Sequence, residues 1–212
     1  MGSGRLVSKV LCKRHNEGLS PLDAEAGRLI ETIGNYDREF NQENPRAEIS
    51  ILCGEELEKW LLKTTCGMVA AGQVARDGVR LEPYIPEIWT SILTGKAEWP
   101  PLWGFYAAVP MSATYHSSSF SYRPMSHPEM GHVLAVEMIL NGVALYLLLG
   151  RPDIPARWGV YRPRTLVFEQ GSVEKFIEIS WRNSGFNNYL RFTRVGKYDG
   201  PPPDWPLWAR DG

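Results

Sequence analysis

Two apolar runs, residues 132–140 and 143–149, flank the pair Asn141-Gly142, and this arrangement constrains the fold more than any other feature of the chain. Asn-Gly is typical of the centre of a two-residue hairpin turn, because both central residues must take a positive φ that these residue types tolerate. The runs are apolar at nearly every position, as in strands that are buried on both faces. We therefore predict a central β-hairpin that is covered by helices.

Short runs of β-branched and aromatic residues predict further strands in the second half of the chain. These strands cover residues 104–109, 165–169, 173–181 and 189–193. Gln170-Gly171 is the expected turn between the two middle ones, and the serine-rich residues 112–121 are predicted to form a loop. The sheet is expected to be mostly antiparallel.

The first half of the chain carries helix signals instead. Ser20 is a candidate N-cap, Pro21 suits the first helical position, and Asp23 favours the free amides of the first turn. Apolar residues then follow at helical spacing, and Gly34 is expected to end this helix. Further helices are predicted over residues 55–71 and 86–95, with a polar loop over residues 35–48.

Helices first and strands later indicate an α+β fold. Residues 1–34 are expected to form a strand (residues 6–11), a turn and a helix, and residues 35–212 an α+β domain that makes one compact unit with them. A chain of 212 residues with 43% hydrophobic residues is long and apolar enough to bury a substantial core. The helices are expected to pack on the sheet.

Charge and cysteine content narrow the class of protein. The formal net charge of −1 makes no global electrostatic case for nucleic acid or an anionic membrane, so any phosphate-binding surface must be a local patch. Three scattered cysteines do not make a disulfide framework. No apolar run approaches the roughly 18 residues needed to span a bilayer, and no signal peptide is visible. These features predict a cytoplasmic protein with no membrane partner.

The turn between the first predicted strand and the first predicted helix reads Cys12-Lys13-Arg14-His15-Asn16. It resembles the second half of the ββα-metal motif in one group of HNH nucleases, where a strand leads into a Cys-x-x-Cys-Asn or Cys-x-x-Cys-His turn and then a helix. The resemblance implies that Cys12 and His15 supply half of a structural zinc site, with His15 in place of the second cysteine. It also implies that Asn16 lies near a catalytic divalent metal such as magnesium.

The first half of that motif should bring another Cys-x-x-Cys, an acidic residue and a histidine that activates water. Residues 1–11 contain no His, Cys, Asp or Glu. Two zinc ligands are half of the usual four. Without the histidine base and a complete set of metal ligands, neither general-base catalysis nor metal-assisted hydrolysis can proceed. We therefore expect a catalytically incomplete protein, active as a nuclease only if a missing N-terminal segment or another protein chain completes the motif.

A local group of basic residues surrounds this turn. Its members are Arg5, Lys9, Lys13 and Arg14, with Arg28 on the following helix. Lysine and arginine side chains provide most of the non-specific affinity for nucleic acids by neutralising phosphates. The group therefore predicts a DNA-contacting surface, and solvated protein surface is the alternative interpretation.

A second candidate metal site comprises His116, His127 and His132, close to Glu129. Three imidazoles and a carboxylate can hold zinc with an open position, although the spacing matches no helical His-Glu-x-x-His pattern. Three functional hypotheses follow from these features. The chain is a nuclease-derived protein that acts on nucleic acid, a non-catalytic binding or regulatory module, or an unrelated metal-dependent enzyme that uses the three histidines.

Overall fold

The computed structural model describes residues 17–76, 79–80, 83–108, 120–126, 132–140, 142–150, 158–182 and 188–193. The helices with defined bounds are α1 (Ser20–Phe40), α2 (Gly54–Ala70) and α3 (Glu87–Leu93). The strands are β1 (Glu48–Cys53), β2 (Ala75–Arg76), β3 (Val79–Arg80), β4 (Gly104–Ala108), β5 (Phe120–Ser126), β6 (Val133–Leu140), β7 (Val143–Leu148), β8 (Val160–Tyr161), β9 (Thr165–Gln170), β10 (Val173–Ser180) and β11 (Tyr189–Thr193).

Helix α1 begins where the sequence predicts, but it ends later. Ser20 is its first residue and not its N-cap, and the Ser20 hydroxyl donates a hydrogen bond to the Glu17 carbonyl at 2.9 Å. The predicted end at Gly34 is wrong, because the helix continues to Phe40. Tyr36 and Phe40 extend the buried stripe of the helix, and their burial outweighs the roughly 1 kcal/mol that a glycine costs within a helix.

The other two helices agree with their predicted positions to within about two residues at each end. Helix α2 packs against α1, and α3 follows Pro86 and packs against α2. In α2 the buried positions recur at helical spacing and place Leu57, Leu61 and Leu62 in the core. Helix α2 also contacts β10 and β7, and in this way it touches both large sheets.

The first sheet has the strand order β1-β10-β9-β11. The predicted hairpin of β9 and β10 is confirmed, and its turn residue Gly171 has a φ of +60°. Strand β1 has no counterpart among the predicted strands, and residues 35–48 are not the continuous loop expected from the sequence. Strand β1 pairs with β10 in parallel and β11 pairs with β9 in parallel, so this sheet is mixed.

The second sheet has the order β5-β6-β7-β4-β8 and is antiparallel throughout. The predicted hairpin of β6 and β7 is confirmed as central, and Gly142 has a φ of +82°. Asn141 lies outside the described residues. Strand β5 begins at Phe120, inside the segment predicted as a loop, and its register shifts between Met125 and Ser126. The serine-rich composition predicts a loop there, but backbone pairing with β6 makes the segment from Phe120 a strand.

One hydrophobic core joins the helices to one face of each large sheet. The other face of the second sheet forms a smaller cluster around Tyr106 and Tyr146, against which Trp158 and Tyr161 pack. The predicted helix cover of the hairpin is therefore found on the core face of this sheet and not, in the part of the chain that the structure describes, on its outer face. Its cover there consists of strand and loop side chains, because α1, α2 and α3 all lie in the main core.

The mixed α+β class is confirmed. The strand and turn of the expected ββα-metal remnant fall on residues 1–16, which lie outside the described residues. In the described part of the chain, none of the helices has both the length and the apolar character that crossing a bilayer requires.

Candidate functional site

Most residues that the sequence singles out lie outside the described residues. Arg28 and His132 are the two that the structure describes. The remaining ones are Cys12, His15, Asn16, Arg5, Lys9, Lys13, Arg14, His116 and His127. The structure thus describes α1, which follows the predicted ligand turn in the chain, and β1, which contacts α1.

Arg28 lies on α1 and reaches the edge of β1. Its Nη1 is 2.7 Å from Oε2 of Glu25, and its Nη2 donates a hydrogen bond to the Ile51 carbonyl at 2.7 Å. The Arg28 side chain is 57% exposed, whereas that of Glu25 is 5% exposed. The guanidinium is therefore held in place on one side and open to solvent on the other.

Glu25 completes this contact at the end of β1. Its Oε1 accepts a hydrogen bond from the backbone amide of Cys53, while its Oε2 binds Arg28. Glu25 thus accepts a hydrogen bond from the Cys53 amide, and Arg28 donates one to the Ile51 carbonyl, at the same edge of β1. These are the groups that a neighbouring strand would otherwise bind, so the two side chains protect part of an open sheet edge.

A groove of about 510 Å³ runs between α1 and β1. Its lining consists of Arg28, Glu31, Thr32, Asn35, Ile49, Ser50 and Ile51. Ile49 and Ile51 are 65% and 63% exposed, which is high for large apolar side chains on a strand. The groove therefore combines an apolar strand with charged and polar side chains of both signs.

The start of α1 is fixed to α2. Nζ of Lys63 lies 2.6 Å from Oδ2 of Asp23 and donates a second bond to the Leu19 carbonyl at 3.3 Å. The first two turns of α1 bury Leu22 and Glu25. The start of α1 is thus held in place by a lysine of a second helix.

The end of α1 is fixed by a buried lysine. Lys175 of β10 is 0% exposed, and its ammonium pairs with Glu39 of α1 and lies 3.3 Å from Glu48 of β1. The ring centres of Tyr36 and Phe40 are 5.0 and 5.8 Å from Nζ. The hydrogen bond from Lys175 lowers the pKa of Glu39. This cluster joins α1, β1 and β10.

A second buried ion pair joins α2 to the segment that follows β8. Nε and Nη2 of Arg162 lie 3.0 and 2.8 Å from the two carboxylate oxygens of Glu58, which also accepts the Phe105 amide at 2.8 Å. Arg162 has a φ of +44°, and its guanidinium lies 5.2 and 5.4 Å from the ring centres of Tyr161 and Trp181. Burial raises the pKa of Glu58.

A third buried carboxylate lies on the outer face of the second sheet. Glu137 of β6 accepts a hydrogen bond from the Tyr146 hydroxyl at 3.0 Å and pairs with Nε of Arg123 at 3.0 Å. Burial raises the pKa of Tyr146, and the adjacent carboxylate acts in the same direction. Each of these carboxylates is satisfied by its own cation, which is a structural arrangement and not an open ligand set.

The part of the chain that the structure describes contains no group of three His, Cys, Asp or Glu side chains arranged to hold a metal ion. His132 directly precedes β6 and is half-buried. His116 and His127 lie outside the described residues, so the three-histidine site stays a prediction. The zinc half-site of Cys12 and His15 stays a prediction for the same reason.

No family model matches the chain, and comparisons with curated proteins and with solved structures found no match either.

The buried charges are absent from the sequence-based expectations, yet the sequence carries a signal for them. Glu25 and Glu58 fall on the apolar stripes of α1 and α2, and Lys175 falls on the apolar face of β10. A charged residue that interrupts an apolar pattern is a candidate for burial with a partner. The partners of Glu58 and Lys175 lie 104 and 136 positions away, so local patterns do not identify them, whereas Glu25 and its partner Arg28 are three residues apart on α1.

Proposed function

We propose that this chain is an HNH-nuclease-related protein that binds nucleic acid through the segment preceding α1 and does not cut it unaided. Cys12 and His15 would hold a structural zinc ion together with two ligands from another polypeptide segment. Asn16 would lie beside a catalytic divalent metal in the completed motif. The DNA-binding surface would combine Arg5, Lys9, Lys13 and Arg14 with the exposed side of Arg28.

The position of α1 is the observation that carries this proposal. The helix starts at Ser20 with Pro21 in its first turn, soon after Asn16, as the resemblance to the HNH group requires. Its first turn is held by Lys63, and its apolar stripe is buried in the main core. A ligand turn works best when a rigid element carries it, because the ligands then keep their geometry.

On α1, whose other charged side chains are mostly acidic, Arg28 is the residue proposed to contact phosphate. Arg28 is fixed by Glu25 but keeps 57% of its side chain exposed, so one face of the guanidinium remains open to an anion. A pre-positioned arginine loses little entropy when it binds phosphate. Because the protein as a whole is close to neutral, its affinity for DNA should depend strongly on this local group and on salt.

Salt-dependent binding tests the proposal. Fluorescence anisotropy with a short DNA duplex is measured from about 20 to about 200 mM salt, a range in which phosphate contacts dominate affinity. A variant with Arg5, Lys9, Lys13 and Arg14 changed to glutamine should bind weakly. The slope of log K against log salt should fall by about 3 to 4, because each neutralised phosphate contributes roughly 0.9 to it.

The matched control changes four exposed cations elsewhere on the described surface to glutamine. They are Arg46, Lys96, Arg164 and Arg182. This control variant carries the same net charge as the test variant and should keep the slope. Equal decreases in both variants, or no binding by the unmodified chain at low salt, would contradict the nucleic-acid proposal.

Cleavage is a separate test. The chain should not nick plasmid DNA with magnesium or manganese, because residues 1–11 offer no base and no additional ligand. Robust cleavage that disappears in the Asn16→Ala variant would show that the chain is catalytically complete. Zinc binding by the chain alone should be weak and should be lost in Cys12→Ser, since two ligands do not close a tetrahedral site.

A further inference from the structure

We propose that residues 6–11 add to the first sheet as a parallel strand on the open edge of β1. This inference concerns the segment that the proposed function uses, and it deepens that function by giving the ligand turn a place beside α1. It does not require zinc or DNA. Its test is therefore independent of metal and nucleic-acid binding.

The direction of α1 relative to β1 is the first step. Near the start of α1, Glu25 binds the amide of Cys53, the last residue of β1. Near the end of α1, Glu39 shares Lys175 with Glu48, the first residue of β1. Helix α1 therefore runs antiparallel to β1. A strand that enters α1 through a short turn runs antiparallel to the helix, and hence parallel to β1.

The hydrogen-bonding groups of β1 are the second step. The Leu52 carbonyl faces β10, where it accepts the Ser180 hydroxyl at 3.2 Å. The Ile51 carbonyl and the Cys53 amide face the opposite edge, where Arg28 and Glu25 bind them. Successive residues of a strand alternate between its two edges. Ile49 therefore also presents its amide and carbonyl to the open edge, beside the groove.

The length and composition of the preceding segment are the third step. Residues 12–19 connect position 11 to Ser20, and Glu17, Gly18 and Leu19 are already in helical or turn conformation. The five residues 12–16 reach at most about 17 to 18 Å when extended. A strand, a crossover helix and a parallel neighbouring strand form a βαβ unit, which is the usual way to join parallel strands. In the proposed strand, Leu6, Val7, Val10 and Leu11 would bring apolar side chains to the edge that carries the exposed Ile49 and Ile51.

Pairing would change the role of Arg28. A backbone amide of residues 6–11 would take over the Ile51 carbonyl that Arg28 now binds. The guanidinium could keep its contact with Glu25 and expose more of its surface next to the predicted basic turn of Lys13 and Arg14. The same event would thus bury the apolar edge of β1 and leave Arg28 more accessible within the proposed DNA-binding surface.

Hydrogen–deuterium exchange on the full chain, with and without the chelator EDTA, tests the inference. We expect peptides that cover residues 5–12 to exchange about tenfold or more slowly than an unstructured segment, in both conditions. The Ile49→Pro variant removes the amide that faces the edge and should abolish that protection. Ile49→Thr keeps the amide and is the matched control, in which protection should persist.

A second variant covers the case in which Ile49→Pro disturbs the whole sheet, as faster exchange of β9 and β10 would reveal. Proline at both Val7 and Val10 leaves every described element unchanged and blocks an amide on each edge of the proposed strand. In this variant the amides of β1 should exchange faster while those of β9 and β10 stay protected. That result supports the inference without reference to Ile49→Pro.

Any one of three outcomes would overturn the inference. The first is exchange of residues 5–12 at the rate of an unstructured segment, and the second is protection of these residues that persists in Ile49→Pro. The third is protection of β1 that appears only as the protein concentration rises. The last result would assign the edge to a second copy of the chain. None of these outcomes bears on salt-dependent DNA binding, so failure of this inference remains distinguishable from failure of the proposed function.

Discussion

Gly104 lies so close to Glu58 that a β-carbon on Gly104 would come within 2.0 Å of the Glu58 Oε1 atom. Gly104 also has a φ of +116°, a conformation that side chains rarely adopt. The same carboxylate accepts the Phe105 amide and binds Arg162. Two glycine properties, the missing side chain and the backbone freedom, are therefore needed at one position so that α2 and β4 can meet around a buried charge.

Gly104→Ala should lower the free energy of unfolding by more than about 3 kcal/mol, because backbone strain and displacement of the carboxylate act together. Gly171→Ala is the matched control. Gly171 also has a positive φ of +60°, but no atom lies within 4 Å of the place that its β-carbon would take, so a decrease of about 1 to 2 kcal/mol is expected. Urea unfolding measures both values. Equal decreases would mean that the approach to Glu58 is unimportant.

The Glu58–Arg162 pair should show strong energetic coupling. Arg162→Met leaves a fully buried carboxylate without its cation, and we expect the free energy of unfolding to fall by about 3 to 5 kcal/mol. The double variant Glu58→Gln with Arg162→Met removes both charges and keeps an oxygen for the Phe105 amide, so it should be more stable than Arg162→Met alone. A double-mutant cycle by urea unfolding checks this expectation. Additive effects would argue against a direct pair.

Loss of Lys175 should lower the stability of the folded protein less than loss of both of its carboxylate partners. Lys175→Met replaces a buried ammonium with an apolar side chain beside Tyr36 and Phe40, while Glu39 and Glu48 remain 35% and 45% exposed and can be solvated. Changing both glutamates to glutamine leaves the buried ammonium unpaired. The double glutamine variant should therefore be the less stable of the two in thermal unfolding. The reverse order would contradict the described cluster.

The same cluster predicts a pH dependence. Glu39 has a folded-state pKa below its ordinary value of 4.5, so its contribution is present above that value and is lost as the pH falls through the lowered folded-state pKa. The unfolding free energy should decrease from about pH 5 toward about pH 3, and the decrease should be smaller in Lys175→Met. An unchanged pH profile in that variant would show that Lys175 does not set the pKa of Glu39.

Cys66 should be inert while the protein is folded. Burial raises the pKa of its thiol to about 12, so only about one part in ten thousand is thiolate at about pH 8. In a variant that keeps Cys66 alone, with Cys12→Ser and Cys53→Ser, alkylation should require unfolding. Labelling by iodoacetamide followed by mass spectrometry, with and without urea, measures this. Fast labelling without urea would contradict the burial of α2.

The sequence predicts those elements whose signal is local. Asn141-Gly142 marks the central hairpin, and the apolar spacing of α2 gives its bounds almost completely. The predicted end of α1 at Gly34 falls short of Phe40, because a glycine signal says nothing of the burial of Tyr36. Strand β1 is not predicted from the sequence, since Ile49 and Ile51 remain exposed and its partner β10 is distant in the chain.

For the candidate site the limit is different. The resemblance at residues 12–16 predicts which chemistry belongs near the start of α1, and the spacing of Glu25 and Arg28 fits a helical ion pair. No local pattern shows that Arg28 also binds the Ile51 carbonyl, because that contact depends on how β1 packs beside α1. Side-chain roles that depend on long-range strand order cannot be predicted from spacing alone.

The parallel pairing of β1 with β10 also determines how long a nascent chain must wait before its first sheet can form. Glu48 and Lys175 are partners although 127 positions separate them, and a ribosome adds about 5 to 20 residues per second. For roughly 6 to 25 s, therefore, each nascent chain carries α1, β1 and α2 without the strand that completes their sheet. During that interval we expect the exposed apolar surface of the emerging polypeptide to favour aggregation or chaperone binding. A nonsense codon before residue 173 would yield a product that lacks β10, the strand with which β1 pairs.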